Sequence, residues 1–274
     1  MGRPPRSLHV AEHGAGPAVL LVHGQPGLGT DWDGVTDLLV EDHRVVVPDR
    51  PGYGSSGEEP ASMAANADVL AQVLADLGSG PAVVVGHSYG GGIAVLMADR
   101  HPDVVRGLVL VGSVGIGASV NGLDRMMAWP AVGEVLSAGA LFAVGRVLPL
   151  MAPLGTVLPA GAEARLRATL PDRRHFSGPS RLSRRVLRSF VSEQRALVSE
   201  IGDVERALGR IRRPTIVMAG TWDVVVPTVV AAAIAAQVPA AELVTLSGAG
   251  HFLPRDAPSA VAEAVRRVEE RSAR

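Results

Sequence analysis

The sequence predicts an α/β fold: a mostly parallel sheet flanked by helices, with an all-α cap inserted after the sixth strand. Three observations predict it. Short β-branched apolar runs alternate with longer stretches of helical periodicity, the pattern of βα units. That alternation breaks once, from about Gly115 to Arg210, where helical patterns punctuated by Gly and Pro continue without a buried strand. Finally, 274 residues at 47% hydrophobic and 19% charged suit one large core plus an insertion.

The strand-like runs, in chain order, are Val19 to Val22, Arg44 to Val47, Ala82 to Val85, Leu108 to Val111, Thr215 to Met218 and Leu243 to Leu246. A weaker run around Leu8 to Glu12 reads as an antiparallel edge. Between them, Asp31 to Leu39, Ser62 to Leu77, Gly91 to Arg100, Val229 to Val238 and Ser259 to Glu270 place apolar residues at helical spacing. Residues 1–114 and 211–274 are therefore expected to form the core, with residues 115–210 as a helical cap. Lying between two parallel runs, that cap is expected over the carboxyl edge of the sheet, where open α/β folds bind ligands.

Composition removes several function classes. A net charge of −1 leaves no field to gather nucleic acid or an anionic membrane, so the expected partner is a small-molecule substrate. The absence of cysteine excludes disulfides, thiolate metal sites and cysteine nucleophiles. Lysine is absent too, which excludes a Schiff base and a Walker-type phosphate lysine. No histidine pair has metal-ligand spacing beside a carboxylate, so no metal and no cofactor are expected. Met1 to Arg6 is not followed by the apolar run of a signal peptide, and Ala128 to Pro159 is broken by Glu134, Arg146 and prolines. No membrane span and a cytoplasmic location follow as expectations, with the chain a monomer or homodimer.

Three loops carry the chemistry. Gly86-His87-Ser88-Tyr89-Gly90 joins a strand run to a helical segment, the setting of a nucleophile elbow, where a sharp turn lifts the serine hydroxyl clear of the sheet. The alternative for Ser88 is a serine in an ordinary Gly-rich turn. Such a hydroxyl needs a base, and the base needs a carboxylate to hold its tautomer. Ala219-Gly220-Thr221-Trp222-Asp223 and Ser247-Gly248-Ala249-Gly250-His251-Phe252 each follow a later strand run, on the same sheet edge as Ser88 and in the order serine, acid, histidine. Asp223 has a turn or helix-capping role as its alternative, and Asp124 is the rival acid. His251 has a buried loop role as its alternative. The backbone amides of Tyr89, at a helix start, and of Gln25, in His23-Gly24-Gln25-Pro26-Gly27, are the expected oxyanion donors. Asp49 to Ser56 reads as a structural loop beneath the site.

At these residues the chain resembles the α/β-hydrolase superfamily, over its whole length apart from the insertion. The resemblance implies that the serine of GHSYGG, the aspartate of GTWD and the histidine of GAGHF form a triad, and that HGQPG is the oxyanion loop. Epoxide hydrolases and haloalkane dehalogenases of this fold carry aspartate where this chain has Ser88; epoxide-opening relatives also use cap tyrosines, whereas Tyr53 and Tyr89 lie outside the cap. Proline iminopeptidases have HGGPG in place of HGQPG. Carbon–carbon bond hydrolases typically have tryptophan where this chain has Phe252.

The expected function is that of a serine esterase cleaving a small, hydrophobic carboxylic ester through an acyl-enzyme. The alternatives are a carbon–carbon, thioester or amide bond cleaved by the same triad, or a ligand-binding protein without turnover. Leu136, Leu141, Phe142, Val144, Leu148, Leu150 and Met151 would give the cap an apolar inner face. His23, Gly24, Leu141, Phe142, Trp222 and Phe252 are the candidate pocket residues. Arginines 165, 167, 173, 174, 181, 184, 185 and 188 could capture a carboxylate, but Leu182, Val186, Phe190 and Leu197 at helical spacing favour a solvated helix face.

Overall fold

Along each strand of the sheet, side chains alternate between two layers of helices. In the computed structural model, which describes residues 8–143, 183–239 and 241–273, seven strands are ordered β1-β3-β2-β4-β5-β6-β7. They are β1 (Val10–His13), β2 (Ala18–Val22), β3 (Arg44–Pro48), β4 (Ala82–His87), β5 (Val105–Val111), β6 (Thr215–Gly220) and β7 (Glu242–Leu246). Only β1 pairs antiparallel, with β3. Each predicted run is a strand, and the weak one is the edge strand expected of it.

The period-2 alternation sorts the core into two clusters. Leu20, Val22, Val84, Leu108, Leu110 and Val217 face one way, and Val19, Leu21, Val83, Val85, Val109 and Met218 face the other. Helices α1 (Asp33–Leu39), α2 (Met63–Asp76) and α3 (Tyr89–Arg100) follow the first strands. Ser62 caps α2, its Oγ accepting from the Ala65 amide at 3.3 Å, and Met63, Ala67, Leu70, Ala71 and Leu74 bury its apolar stripe. The start of the predicted Asp31 to Leu39 helix is a 3₁₀ turn over Gly29–Trp32. α3 begins two residues before the periodicity indicates, immediately after Ser88.

The insertion leaves the sheet after the run Leu108 to Val111, as expected; that strand is the fifth of the seven described, where the ordinal expected was the sixth. The described part of residues 115–210 contains α4 (Gly122–Met127), α5 (Val132–Phe142) and α6 (Arg184–Leu208). The second half of α6 buries Leu197, Ile201, Val204, Ala207 and Leu208 in the same cluster as α2 and α3. It is therefore tied to the sheet by its own apolar stripe. After β6 come α7 (Thr228–Gln237), then α8 (Leu253–Asp256) and α9 (Pro258–Ser272) following β7. Among the described residues no helix is long and apolar enough to cross a membrane.

Candidate active site

Strand register brings the three motif loops to one edge. Val22 pairs with Gly86, His87 with Val111, Val111 with Met218 and Gly220 with Leu246, so β2, β4, β5, β6 and β7 all end at a common level. Neighbouring strands are about 4.8 Å apart, which puts the end of β6 two strands, and that of β7 three strands, from Ser88. The loops close that gap by folding back over the end of β5. A Cβ built on Gly112 would lie 3.3 Å from both Asp223 Oδ2 and His251 Nδ1, while the Ser88 amide donates to the carbonyl of Val111 at 3.0 Å.

Ser88 has φ 53° and ψ −119°, a conformation L residues rarely adopt outside tight functional turns. Contacts on both sides impose it. A Cβ on Gly90 would lie 2.3 Å from the Val22 carbonyl oxygen, and one on Gly86 would lie 2.4 Å from that of Gly90. The turn can therefore close onto the start of α3 only with glycine at 86, and pack against β2 only with glycine at 90. Ser88 itself is partly exposed amid buried neighbours. Because α3 starts at Tyr89, the first amides after the serine have no partner within the helix.

Asp223 is wholly buried and saturated with donors: Oδ1 accepts from the amides of Val225 (2.9 Å) and Val226 (2.8 Å), and Oδ2 from His251 Nδ1 (2.8 Å). A carboxylate can only accept, so Nδ1 of His251 is the donor, and in the neutral ring this leaves the lone pair on Nε2. Asp124, the rival acid, is elsewhere. It closes a capping box with Asn121 at the start of α4 and accepts from Gln194 Nε2 at 3.2 Å.

His87 holds the histidine loop in place, donating from Nε2 to the carbonyl of His251 at 3.0 Å with the two rings 4.8 Å apart. Burial, and then the neighbouring His251, lower its pKa from 6.5 to about 3, so it is neutral. Phe252 packs beside both rings, at 6.1 Å from His87 and 5.5 Å from His251.

The His23-to-Gly27 loop reaches the serine through Gly24, where a built Cβ would lie 3.1 Å from Ser88 Cβ. His23, a candidate pocket residue, is fully buried and turned into the scaffold instead. Its Nε2 accepts from the Arg50 amide (3.0 Å) and its Nδ1 donates to the Gly24 carbonyl (3.0 Å), which defines a neutral tautomer. Burial first, then Arg50, lower its pKa to about 3. Trp222 lies against Gly248 in the histidine loop, its ring carbon 3.8 Å from a Cβ built there. Leu141 is buried and Phe142 is 59% exposed. Val144, Leu148, Leu150, Met151 and arginines 165, 167, 173, 174 and 181 lie outside the described residues. Of the remaining arginines, Arg184 and Arg188 are exposed, as a solvated face requires, but Arg185 donates to the carbonyls of Ser56 and Glu58.

Two residues near the site escaped sequence reasoning. Gly112 supplies the floor on which Asp223 and His251 meet. Glu193, on α6, is completely buried against Arg50 and Tyr53. Its signal was present: it shares the apolar stripe of Val186, Leu197, Ile201 and Val204, and a charge on a buried stripe demands a partner. Among the described residues no group of acidic and histidine side chains forms a metal-binding cluster.

The family model described as the alpha/beta hydrolase family matches residues 19–264. An uncharacterised protein of Mycobacterium tuberculosis is 32% identical over 263 residues, covering 93% of this chain and 75% of its own. A 2-hydroxymuconate semialdehyde hydrolase of Pseudomonas sp. (strain CF600) is 31% identical over 250 residues, covering 88% of this chain and 82% of its own. The solved structure of a thermophilic esterase from Thermogutta terrifontis superposes with a TM-score of 0.73 at 26% identity, covering 97% of this chain and 93% of that one.

Proposed function

The chain belongs to the α/β hydrolase family, and from that premise we propose that it is a serine hydrolase of small hydrophobic carboxylic esters. Ser88 is the nucleophile, His251 the general base and Asp223 the residue that orients it. The carrying observation is the Asp223–His251 pair, 2.8 Å apart on the sheet edge from which Ser88 emerges in a strained turn.

In this reading Nε2 of His251 takes the Ser88 proton as Oγ attacks the ester carbonyl. The amides of Gln25 and Tyr89 hold the oxyanion, and the imidazolium, stabilised by Asp223, returns its proton to the leaving alcohol. Water then attacks the acyl-enzyme by the same proton route in reverse. Leu141 and Phe142 of α5, with Trp222 and Phe252 of the strand-terminal loops, form the apolar wall of the substrate pocket. The likeness to an esterase structure supports the ester. Likeness to the Pseudomonas semialdehyde hydrolase favours one second reading, in which the same three residues cleave a bond other than an ester.

A series of aryl esters with lengthening acyl chains, measured as kcat/KM, tests the substrate class. Best turnover of short apolar acyl groups supports it; best turnover of charged, hydrophilic esters overturns it.

A further inference from the structure

Resting on the serine-hydrolase reading above, we infer that Arg50, clamped by Glu193 of α6, is a positioning residue that aims the Gln25 amide at the oxyanion. Arg50 is fully buried and reaches both carbonyls of the oxyanion loop: Nε donates to that of His23 (3.0 Å) and Nη2 to that of Gly24 (2.8 Å). The Gly24–Gln25 peptide is trans, so its C=O and N–H point in opposite directions. A guanidinium that pins the Gly24 oxygen on one side therefore fixes the direction of the Gln25 N–H on the other. His23 Nδ1 adds a second donor to the same oxygen at 3.0 Å.

The clamp comes from the inserted segment. Glu193 takes Arg50 Nη1 on Oε1, and Arg50 Nη2 (3.3 Å) with Tyr53 OH (2.7 Å) on Oε2, with no solvent access to either charged side chain. A guanidinium fork is planar, so holding it at one end by a carboxylate sets the angle at which it meets the two carbonyls at the other. Independently, Gln25 Nε2 donates to the Phe190 carbonyl at 2.9 Å, three residues earlier on the same helix. α6 thus grips the oxyanion loop at two points, directly through Gln25 and through Arg50. Any load on α6 is passed to the donor that faces the reacting carbonyl.

The test compares Arg50→Lys, Glu193→Gln and Tyr53→Phe with Glu134→Gln, which disrupts the exposed Arg195–Glu134 pair between α6 and α5. Three quantities are read on folded protein: kcat and KM for an aryl ester, affinity for a trifluoromethyl ketone whose serine adduct bears an oxyanion, and Tm. Arg50→Lys and Glu193→Gln are expected to lower kcat and ketone affinity together by about 100-fold, the scale of a displaced oxyanion donor, with KM within about twofold. Glu134→Gln is expected to match wild type. Should both severe variants fail to fold, Tyr53→Phe decides: it removes one hydroxyl and is expected to move kcat and ketone affinity the same way by about fivefold. Folded variants with wild-type kcat and ketone affinity, whatever their Tm, or with a change in KM alone, overturn the inference. A wild type that neither turns over esters nor binds the ketone fails at an earlier point, the hydrolase reading itself, and takes the inference with it.

Discussion

Nδ1 of His251 stands 2.8 Å from Oδ2 of Asp223, and the other carboxylate oxygen is held by two backbone amides. The aspartate is thus held independently of the histidine, and the neutral histidine has one tautomer open to it. Replacing Asp223 by Asn should leave the shape and invert the tautomer, lowering kcat by about 10⁴-fold. Asp124→Ala, which removes the rival acid from its cap on α4, should leave kcat within about twofold of wild type. Steady-state kinetics on the two variants decide between the carboxylates.

The turn at Ser88 should not tolerate a methyl group. In Gly90→Ala the new Cβ would meet backbone oxygens of Val22 and His23 at 2.3 and 2.6 Å, so β2 and α3 must separate and carry Ser88 with them. A loss of about 2 kcal/mol or more in unfolding free energy and a fall in kcat are expected. By contrast Gly139→Ala, on α5 with nothing within 4 Å of the new Cβ, should gain about 0.5–1 kcal/mol. Urea unfolding of both checks the pair.

Stability should depend on pH through His23 and His87. Each folds with its pKa lowered from 6.5 to about 3, so the unfolded chain binds more protons between those values. Their contribution is complete above about pH 6.5 and is progressively lost as pH falls from there toward 3. His87→Gln, which keeps a donor for the His251 carbonyl without a titrating ring, should flatten the profile by about one proton. An unchanged slope in that variant would contradict the assignment.

The buried ion pair predicts an asymmetric mutant cycle. Glu193→Leu alone strands the Arg50 charge and should cost about 3–5 kcal/mol, whereas Arg50→Met with Glu193→Leu should recover most of that loss while leaving the His23 and Gly24 carbonyls without their Arg50 donors. Stability and kcat are then expected to part company in the double variant, which thermal melts and ester turnover on one preparation would reveal.

The strand-terminal loops were legible because each follows a short apolar run, and register then places such loops at one edge without further information. Ser62 before α2 and the stop at Leu77 were legible for a similar local reason, a cap and a period. What escaped is the contact made across the chain. Arg50 reads as part of a turn until α6, well over a hundred residues later, presents Glu193 to it. The expected boundary at residue 210 likewise follows where strands resume, whereas packing depends on the stripe from Leu197 to Leu208, which joins the core before the chain re-enters the sheet. In the sequence His23 reads both as a pocket candidate and as a structural residue of its motif; the acceptor role of its Nε2 toward Arg50 places it in the scaffold.

Reaction with a fluorophosphonate, followed by mass spectrometry of the labelled peptide, tests the central claim most directly. A single adduct on Ser88, abolished in Ser88→Ala and slowed in His251→Ala, is the predicted result. A folded wild type that takes no label, or takes it on another residue, would contradict the account.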